Sequence, residues 1–170
     1  MTDGSSYHVL NFASNNIFVY TYRDGSGDLQ ARAGSVDSNG AVTLSSSTTH
    51  IATDISGAHN QSRLIYDPTS NKFLIVFTVD SDSAVRAATG VVGGTAPNYT
   101  TTWTSGYIYG ASASEPAQPC LDTLNNKIFS AYRNHATSPG SGYAQCGTIT
   151  GDGTYTRGSN ALLTSSNNDV

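Results

Sequence analysis

The sequence predicts an all-β fold made of three tandem units, and three observations lead to this prediction. The first is a turn before an apolar strand, which recurs about every 56 residues with an asparagine at Asn15, Asn71 and Asn126. The second is a segment of the form Ala-x-x-Gly-x-Val/Ile, which recurs at nearly the same period with its glycine at Gly34, Gly90 and Gly147. The third is that glycine, asparagine and threonine interrupt every candidate for a helical period.

Each unit is predicted to form one antiparallel sheet of four strands. The first strand is short and apolar and precedes a turn rich in Asp, Pro, Ser, Thr and Asn; its three copies read HVLNF, RLIYD and QPCLD. The second strand reads IFVYTY, FLIVFTV or IFSAYR and is the most continuously apolar. Burial on both faces of the second strand is therefore expected, near the centre of the sheet.

The third and fourth strands are predicted from smaller and more polar residues. The third strand contains the Ala-x-x-Gly segment, whose small side chains allow a neighbouring sheet to approach closely and whose glycine is typical of a β-bulge. The fourth strand is rich in threonine, so its hydroxyl groups tolerate solvent and place it at the outer edge of the sheet.

The three units are predicted to span residues 5–58, 59–116 and 117–170 of a single domain that covers residues 1–170. A four-stranded antiparallel sheet of this length is typical of a propeller blade, which buries its faces against the next blade. A β-prism or a β-trefoil, in which three sheets or hairpin sets enclose one core, is the alternative. Closed propellers contain about four to eight blades, so a propeller-like arrangement predicts an interface with a second copy, another protein or further chain.

Charge and composition narrow the classes of partner. The chain has a formal net charge of −4 and only 12% charged residues, so it lacks the basic surface that nucleic acid requires. It contains no stretch of 18 apolar residues, and its N-terminal segment lacks the basic and apolar regions of a signal peptide. We therefore expect no nucleic-acid partner, no membrane insertion and no secretion by that route.

No catalytic residue, metal ligand or cofactor site is predicted, and we expect that the protein is not an enzyme. Glu115 is the only glutamate, which excludes a pair of glutamates for glycoside hydrolysis. The histidines lack the spacing of metal ligands, and no G-x-S-x-G segment activates a serine. The acidic segments 24–28 and 80–82 are predicted to stabilise turns rather than to bind calcium. Cys120 and Cys146 are expected to be buried apolar residues rather than a disulfide.

One aromatic cluster is a candidate binding surface. Trp103, Tyr107 and Tyr109 lie in the fourth strand of the second unit, whereas the fourth strands of the other two units lack this group of large aromatic residues. Exposed aromatic rings stack on sugars or anchor a protein interface. Ordinary packing between strands is the alternative explanation for the cluster.

Two segments resemble repeats in virion proteins of tailed bacteriophages, which occur in tail fibres and capsid-surface proteins. The segments are YDPTSNKFLIVFTVD, from Tyr66, and ARAGSVDSNGAVTLSS, from Ala31, and the resemblance extends over nearly the whole chain. Two positions depart from the pattern, since Ala13 replaces the acidic turn residue of the first unit and Asn134 replaces the closing aspartate of the third. The resemblance carries no catalytic residue.

The resemblance implies a non-enzymatic structural protein on the surface of the virion, made in the host cytoplasm and displayed on the capsid or tail. A capsid-decorating or knob-like protein is favoured over a tail fibre by the length of 170 residues. Its role would be particle stabilisation or host attachment, and its partners would be other virion proteins, copies of itself, or a cell-surface glycan. A lectin-like carbohydrate-binding module is the alternative function.

Overall fold

The computed structural model describes residues 8–13, 16–55, 62–110, 113–116, 119–134 and 141–164. These ranges contain fifteen strands and no helix. The strands form three antiparallel sheets that follow one another along the chain. The structure therefore confirms the prediction of an all-β protein with three tandem antiparallel sheets.

The sheets contain five, four and six strands, so only the second has the four strands that the sequence predicts. The first sheet contains β1 (His8–Phe12), β2 (Ile17–Arg23), β3 (Leu29–Val36), β4 (Val42–Leu44) and β5 (Thr49–Ala52). The second contains β6 (Arg63–Asp67), β7 (Lys72–Thr78), β8 (Val85–Gly93) and β9 (Thr100–Gly110). The third contains β10 (Ala113–Pro116), β11 (Cys120–Asp122), β12 (Lys127–Asn134), β13 (Ser141–Ile149), β14 (Tyr155–Arg157) and β15 (Ala161–Thr164).

Two of the three additional strands arise because a predicted single strand is interrupted. In the first sheet the fourth strand is divided into β4 and β5, which pair with opposite ends of β3. The interruption lies at Ser45, whose hydroxyl donates a hydrogen bond to the carbonyl oxygen of Tyr99, the residue before β9. In the third sheet β14 and β15 divide the fourth strand, and β10 is an additional strand before β11 that the sequence did not predict. The third sheet therefore begins at Ala113, before the expected start of the third unit at residue 117.

The three repeat glycines occupy equivalent positions in the third strands β3, β8 and β13. Each glycine pairs with the second residue of the preceding strand, and the pairs are Gly34 with Phe18, Gly90 with Phe73, and Gly147 with Ile128. A Cβ atom at any of the three would come within 2.5 Å of an aromatic side chain. Close approach of a ring to the backbone is thus the physical reason for glycine at this point of the repeat.

The repeat asparagine has a left-handed backbone conformation. Its φ angle is 60° at Asn16, 55° at Asn71 and 50° at Asn126. These three residues each stand two positions before the residue that pairs with the repeat glycine, so they are structurally equivalent. In the first unit the equivalent residue is therefore Asn16, and Asn15 lies outside the described residues.

The core consists of two layers, one on each side of the second sheet. Alternate residues of β7 enter different layers: Phe73, Ile75 and Phe77 pack against the first sheet, whereas Leu74 and Val76 pack against the third. All five side chains are almost fully buried. Burial on both faces explains why this strand has the longest apolar run of the chain.

The expectation that Cys120 and Cys146 are buried is wrong, because both thiols are exposed and free. Phe129 of β12 lies between them, since it pairs with Cys120 on one side and with Cys146 on the other. The cysteines are therefore two strand spacings apart, about 10 Å, which is beyond the reach of a disulfide. All three side chains lie on the face of the third sheet that points away from the second.

Candidate functional site

A cleft of about 550 Å³ opens between the first and second sheets. Its lining includes β5 on one side and residues of β7, β8 and β9 on the other. Ile51, Phe77 and Val79 supply buried apolar surface, and Arg86 and Trp103 supply hydrogen-bond donors. The surface of the cleft is therefore mainly polar, with buried apolar side chains behind it.

Hydrogen bonds between the two sheets fix the width of this cleft. The hydroxyl of Thr49 donates to the carbonyl oxygen of Thr101 at 3.0 Å, so β5 is held beside β9. Near the other end, Ile55 forms an isolated β-bridge with Val79. One contact joins a side chain to backbone and the other joins backbone to backbone, and the site exists only because the two units pack together.

Trp103 lies across the backbone of the second sheet. It pairs with Gly90, and a Cβ atom placed on Gly90 would fall 2.5 Å from indole carbons Cδ2 and Cε3. The indole can adopt this position only because residue 90 has no side chain. The ring therefore covers the strand beneath it and presents its remaining surface to the cleft that it lines.

Two buried donors of the cleft lack an acceptor within the described part of the chain. They are the indole Nε1 of Trp103 and the Nε of Arg86. A buried donor without an acceptor costs about 1–3 kcal/mol, and a ligand oxygen could reach either nitrogen only if the side chain shifted toward the cleft. Among the lining residues, the indole of Trp103 has a flat apolar face and the guanidinium of Arg86 carries further N–H donors.

An acidic residue holds the Arg86 side chain. The guanidinium Nη2 of Arg86 forms an ion pair with the carboxylate Oδ2 of Asp82. The backbone N–H of Ala84 and the Arg86 guanidinium both donate to this carboxylate and keep the pKa of Asp82 below its usual value. Because Asp82 is ionised at neutral pH, Arg86 retains a charged partner and a fixed orientation.

Of the three predicted aromatic residues, the structure describes the side chain of Trp103 alone. The backbone register pairs Tyr107 with Ala87, beyond a β-bulge that separates it from Ser105, and Tyr109 lies at a second bulge. The side chains of Tyr107 and Tyr109 lie outside the described residues.

Sequence reasoning missed the contributions of Arg86 and His50 to the cleft. The two residues come from different units and lie on opposite walls. The first and third units have no arginine at this point, since the positions equivalent to Arg86 hold Gln30 and Tyr143. The repeat shows only what the units share, so it does not indicate the role of an arginine that one unit alone contains.

The acidic turns use their carboxylates within the turn. Asp24 accepts hydrogen bonds from the backbone N–H groups of Ser26 and Asp28 and from the side chain of Gln30. The same pattern recurs in the third unit, where Asp122 accepts from the backbone N–H of Leu124. Among the residues that the structure describes, no three His, Cys, Asp or Glu side chains group together to hold a metal ion.

These observations define a β-repeat protein with a polar cleft between its first two sheets. No protein-family model matches the chain, and no curated protein sequence matches it significantly. Helices suited to crossing a membrane are absent from the described ranges.

Proposed function

We propose that the protein is a non-enzymatic structural protein of a tailed-bacteriophage virion, displayed on the capsid or tail surface. The carrying observation is that the outer faces of the first and third sheets expose large apolar side chains. Val42 is 63% exposed, Leu44 40% and Phe129 48%. Large apolar side chains that lie together on an exposed sheet face, as Val42 and Leu44 do on β4, favour an interaction surface, which suits a protein that works within an assembly.

The packing of the sheets supports a propeller-like arrangement over a β-prism or β-trefoil. In each sheet the strands follow in chain order from first to last along the main path. The first strands of consecutive sheets are in contact, β1 with β6 and β6 with β11. Together with the two separate core layers, these contacts favour blades that follow one another around an axis over three sheets that enclose one core.

A capsid-decorating or knob-like role, with particle stabilisation or host attachment as its purpose, agrees best with the phage-like repeat segments. Synthesis in the host cytoplasm and assembly with other virion proteins follow from this role. The apolar faces would then be contact surfaces for neighbouring subunits rather than for a substrate.

Immunogold electron microscopy tests this proposal. Antibodies against the purified chain are applied to particles of the phage whose genome encodes it, and we expect gold on the capsid or the tail. An antibody against the major capsid protein serves as a control for particle integrity. Unlabelled intact particles, obtained from lysates in which the same antibody detects the chain, would overturn the proposal.

A carbohydrate-binding function is the second candidate, and the cleft at Trp103 is the observation that favours it. Trp103 is the only tryptophan of the chain, so its fluorescence reports directly on the cleft. We expect a saturable change in emission during titration with a bacterial cell-surface glycan. Arg86→Ala should weaken this binding about tenfold, as expected for the loss of one charged hydrogen bond, whereas Arg157→Ala in the third sheet should not. A glycan array on which the unmodified chain binds nothing would exclude this function.

A further inference from the structure

We propose that two copies of the chain associate head to tail, with the outer face of the third sheet of each copy against the outer face of the first sheet of the other. The inference rests on the propeller-like packing of the three sheets proposed above and does not depend on a virion role. Here the outer face of a terminal sheet means the face that points away from the second sheet. The occupant of both outer faces is thus a second copy of this chain.

The outer face of the third sheet matches a face that is buried in the second. Phe129 is the third residue of β12, as Leu74 is the third residue of β7. Phe129 pairs with Cys120 and Cys146, whereas Leu74 pairs with Ile65 and Thr89, its equivalents in the second sheet. Leu74 is 0% exposed beneath the third sheet and Phe129 is 48% exposed. The outer face therefore has the register of a buried surface and lacks its cover.

The outer face of the first sheet matches the opposite face of the second. Tyr20 and Tyr22 of β2 hold the positions of Ile75 and Phe77 in β7, which are buried against the first sheet. The two tyrosine rings stack on each other with centroids 5.3 Å apart, and both are partly exposed. Arg32 and Gln30 lie beside these tyrosines on the same face, and Leu44 on β4 adds an apolar side chain opposite Gly34.

The two outer faces are complementary by the same rule that forms the internal interfaces. Each internal interface joins a face of the Leu74 type on one sheet to a face of the Ile75 type on the next. Val19 of the first sheet therefore lies in the layer that contains Ile75, and Leu74 lies in the layer that contains Ile128. The face with Phe129 and the face with Tyr20 are the remaining members of this series, one of each type. Their contact continues an interface that the chain already forms twice.

The number of copies follows from ring closure. Head-to-tail contacts either close into a ring or extend into a filament. Closed rings of such sheets contain about four to eight sheets, and six is the only multiple of three in that range. Two copies of a three-sheet chain therefore complete one ring, with two identical contacts related by a two-fold axis.

Native mass spectrometry of the isolated chain at micromolar concentration tests the proposal, and a dimer is expected. Phe129→Asp and Tyr20→Asp each place a charge in the proposed contact, and each should weaken dimerisation at least about 30-fold. Leu124→Asp is the matched control, because Leu124 is 89% exposed in the turn before β12 and should leave the dimer intact. Circular dichroism establishes that all three variants are folded.

The pattern of outcomes distinguishes the contact from other modes. A monomeric unmodified chain, or a dimer that only one of the two face variants disrupts, would overturn the head-to-tail contact. Cys120 and Cys146 give a second measurement that requires no mutation, since they flank Phe129. Their alkylation should be at least about tenfold slower in the unmodified chain than in Tyr20→Asp, whose substitution lies on the other face. Equal rates would also count against the proposal.

Discussion

The indole ring of Trp103 lies so close to the backbone of Gly90 that no side chain fits between them. A Cβ atom on residue 90 would stand 2.5 Å from two indole carbons, well inside contact distance. The ring in turn forms part of the cleft between the first and second sheets. A glycine that the repeat requires thus also determines where the only tryptophan of the chain is placed.

Gly90→Ala is expected to lower the free energy of unfolding by about 1–3 kcal/mol, because the added methyl group overlaps the indole of Trp103. Urea unfolding followed by circular dichroism measures the change, and tryptophan emission should shift as the ring moves. Gly25→Ala is the control, since no atom lies within 4 Å of its added Cβ. If Gly90→Ala is as stable as Gly25→Ala, the ring does not occupy this position.

Asn126→Ala is expected to destabilise the protein by about 1 kcal/mol, whereas Asn126→Gly should be close to neutral. The φ angle of Asn126 is 50°, in the left-handed region that costs an alanine roughly 1 kcal/mol or more and a glycine nothing. Chemical denaturation of both variants measures the difference. Equal stability of the alanine and glycine variants would contradict a left-handed conformation in this turn.

Gln145→Met is expected to raise the free energy of unfolding by about 1 kcal/mol. Gln145 is 2% exposed, and neither its amide oxygen nor its amide nitrogen has a partner within the described residues. Methionine has a similar shape and removes the cost of burying an unpaired amide. Gln30→Met is the control and should not stabilise, because the Gln30 amide donates a hydrogen bond to Asp24 at 2.8 Å. A loss of stability in Gln145→Met would show that the amide is satisfied.

Acid is expected to destabilise the protein below about pH 4. Hydrogen bonds from Ala84 and Arg86 lower the pKa of Asp82, and those from the side chain and backbone of Asn125 lower that of Asp122. The folded state then binds protons more weakly than the unfolded state. The contribution of these two carboxylates to the free energy of unfolding is therefore complete above their unfolded pKa and is lost as the pH falls through their folded pKa. Urea midpoints from pH 7 to pH 2 at fixed ionic strength measure this. Asp82→Asn should make the profile shallower, and an unchanged slope in that variant would contradict the assignment.

Features that every unit repeats could be predicted from the sequence, and features that depend on contacts between units could not. The period placed Gly34, Gly90 and Gly147 correctly in equivalent strands, because the need for glycine arises within each sheet. The division of the first unit's fourth strand at Ser45 depends on a carbonyl group of Tyr99, 54 residues away. No local pattern around Ser45 contains that information.

The candidate site was only partly accessible to sequence reasoning for the same reason. Trp103 stood out because it belongs to a group of large aromatic residues that the fourth strands of the other two units lack. Arg86 did not, since its importance arises from packing beside a strand of another unit. The expectation that Cys146 is buried was wrong. Cysteines are usually buried, and the sequence does not show which sheet faces remain uncovered.

The two distinct faces of every sheet have a consequence for how such a chain can change. Each internal interface joins a face of the Leu74 type on one unit to a face of the Ile75 type on the next, and Leu74 and Ile128 meet in this way in one layer. A whole unit can therefore be duplicated or deleted, because every new interface would still join one face of each type. A stack of this kind tolerates changes in its number of sheets more readily than changes within one. The length of the chain can therefore change in evolution by one repeat at a time, and each resulting chain would keep the same two types of outer face.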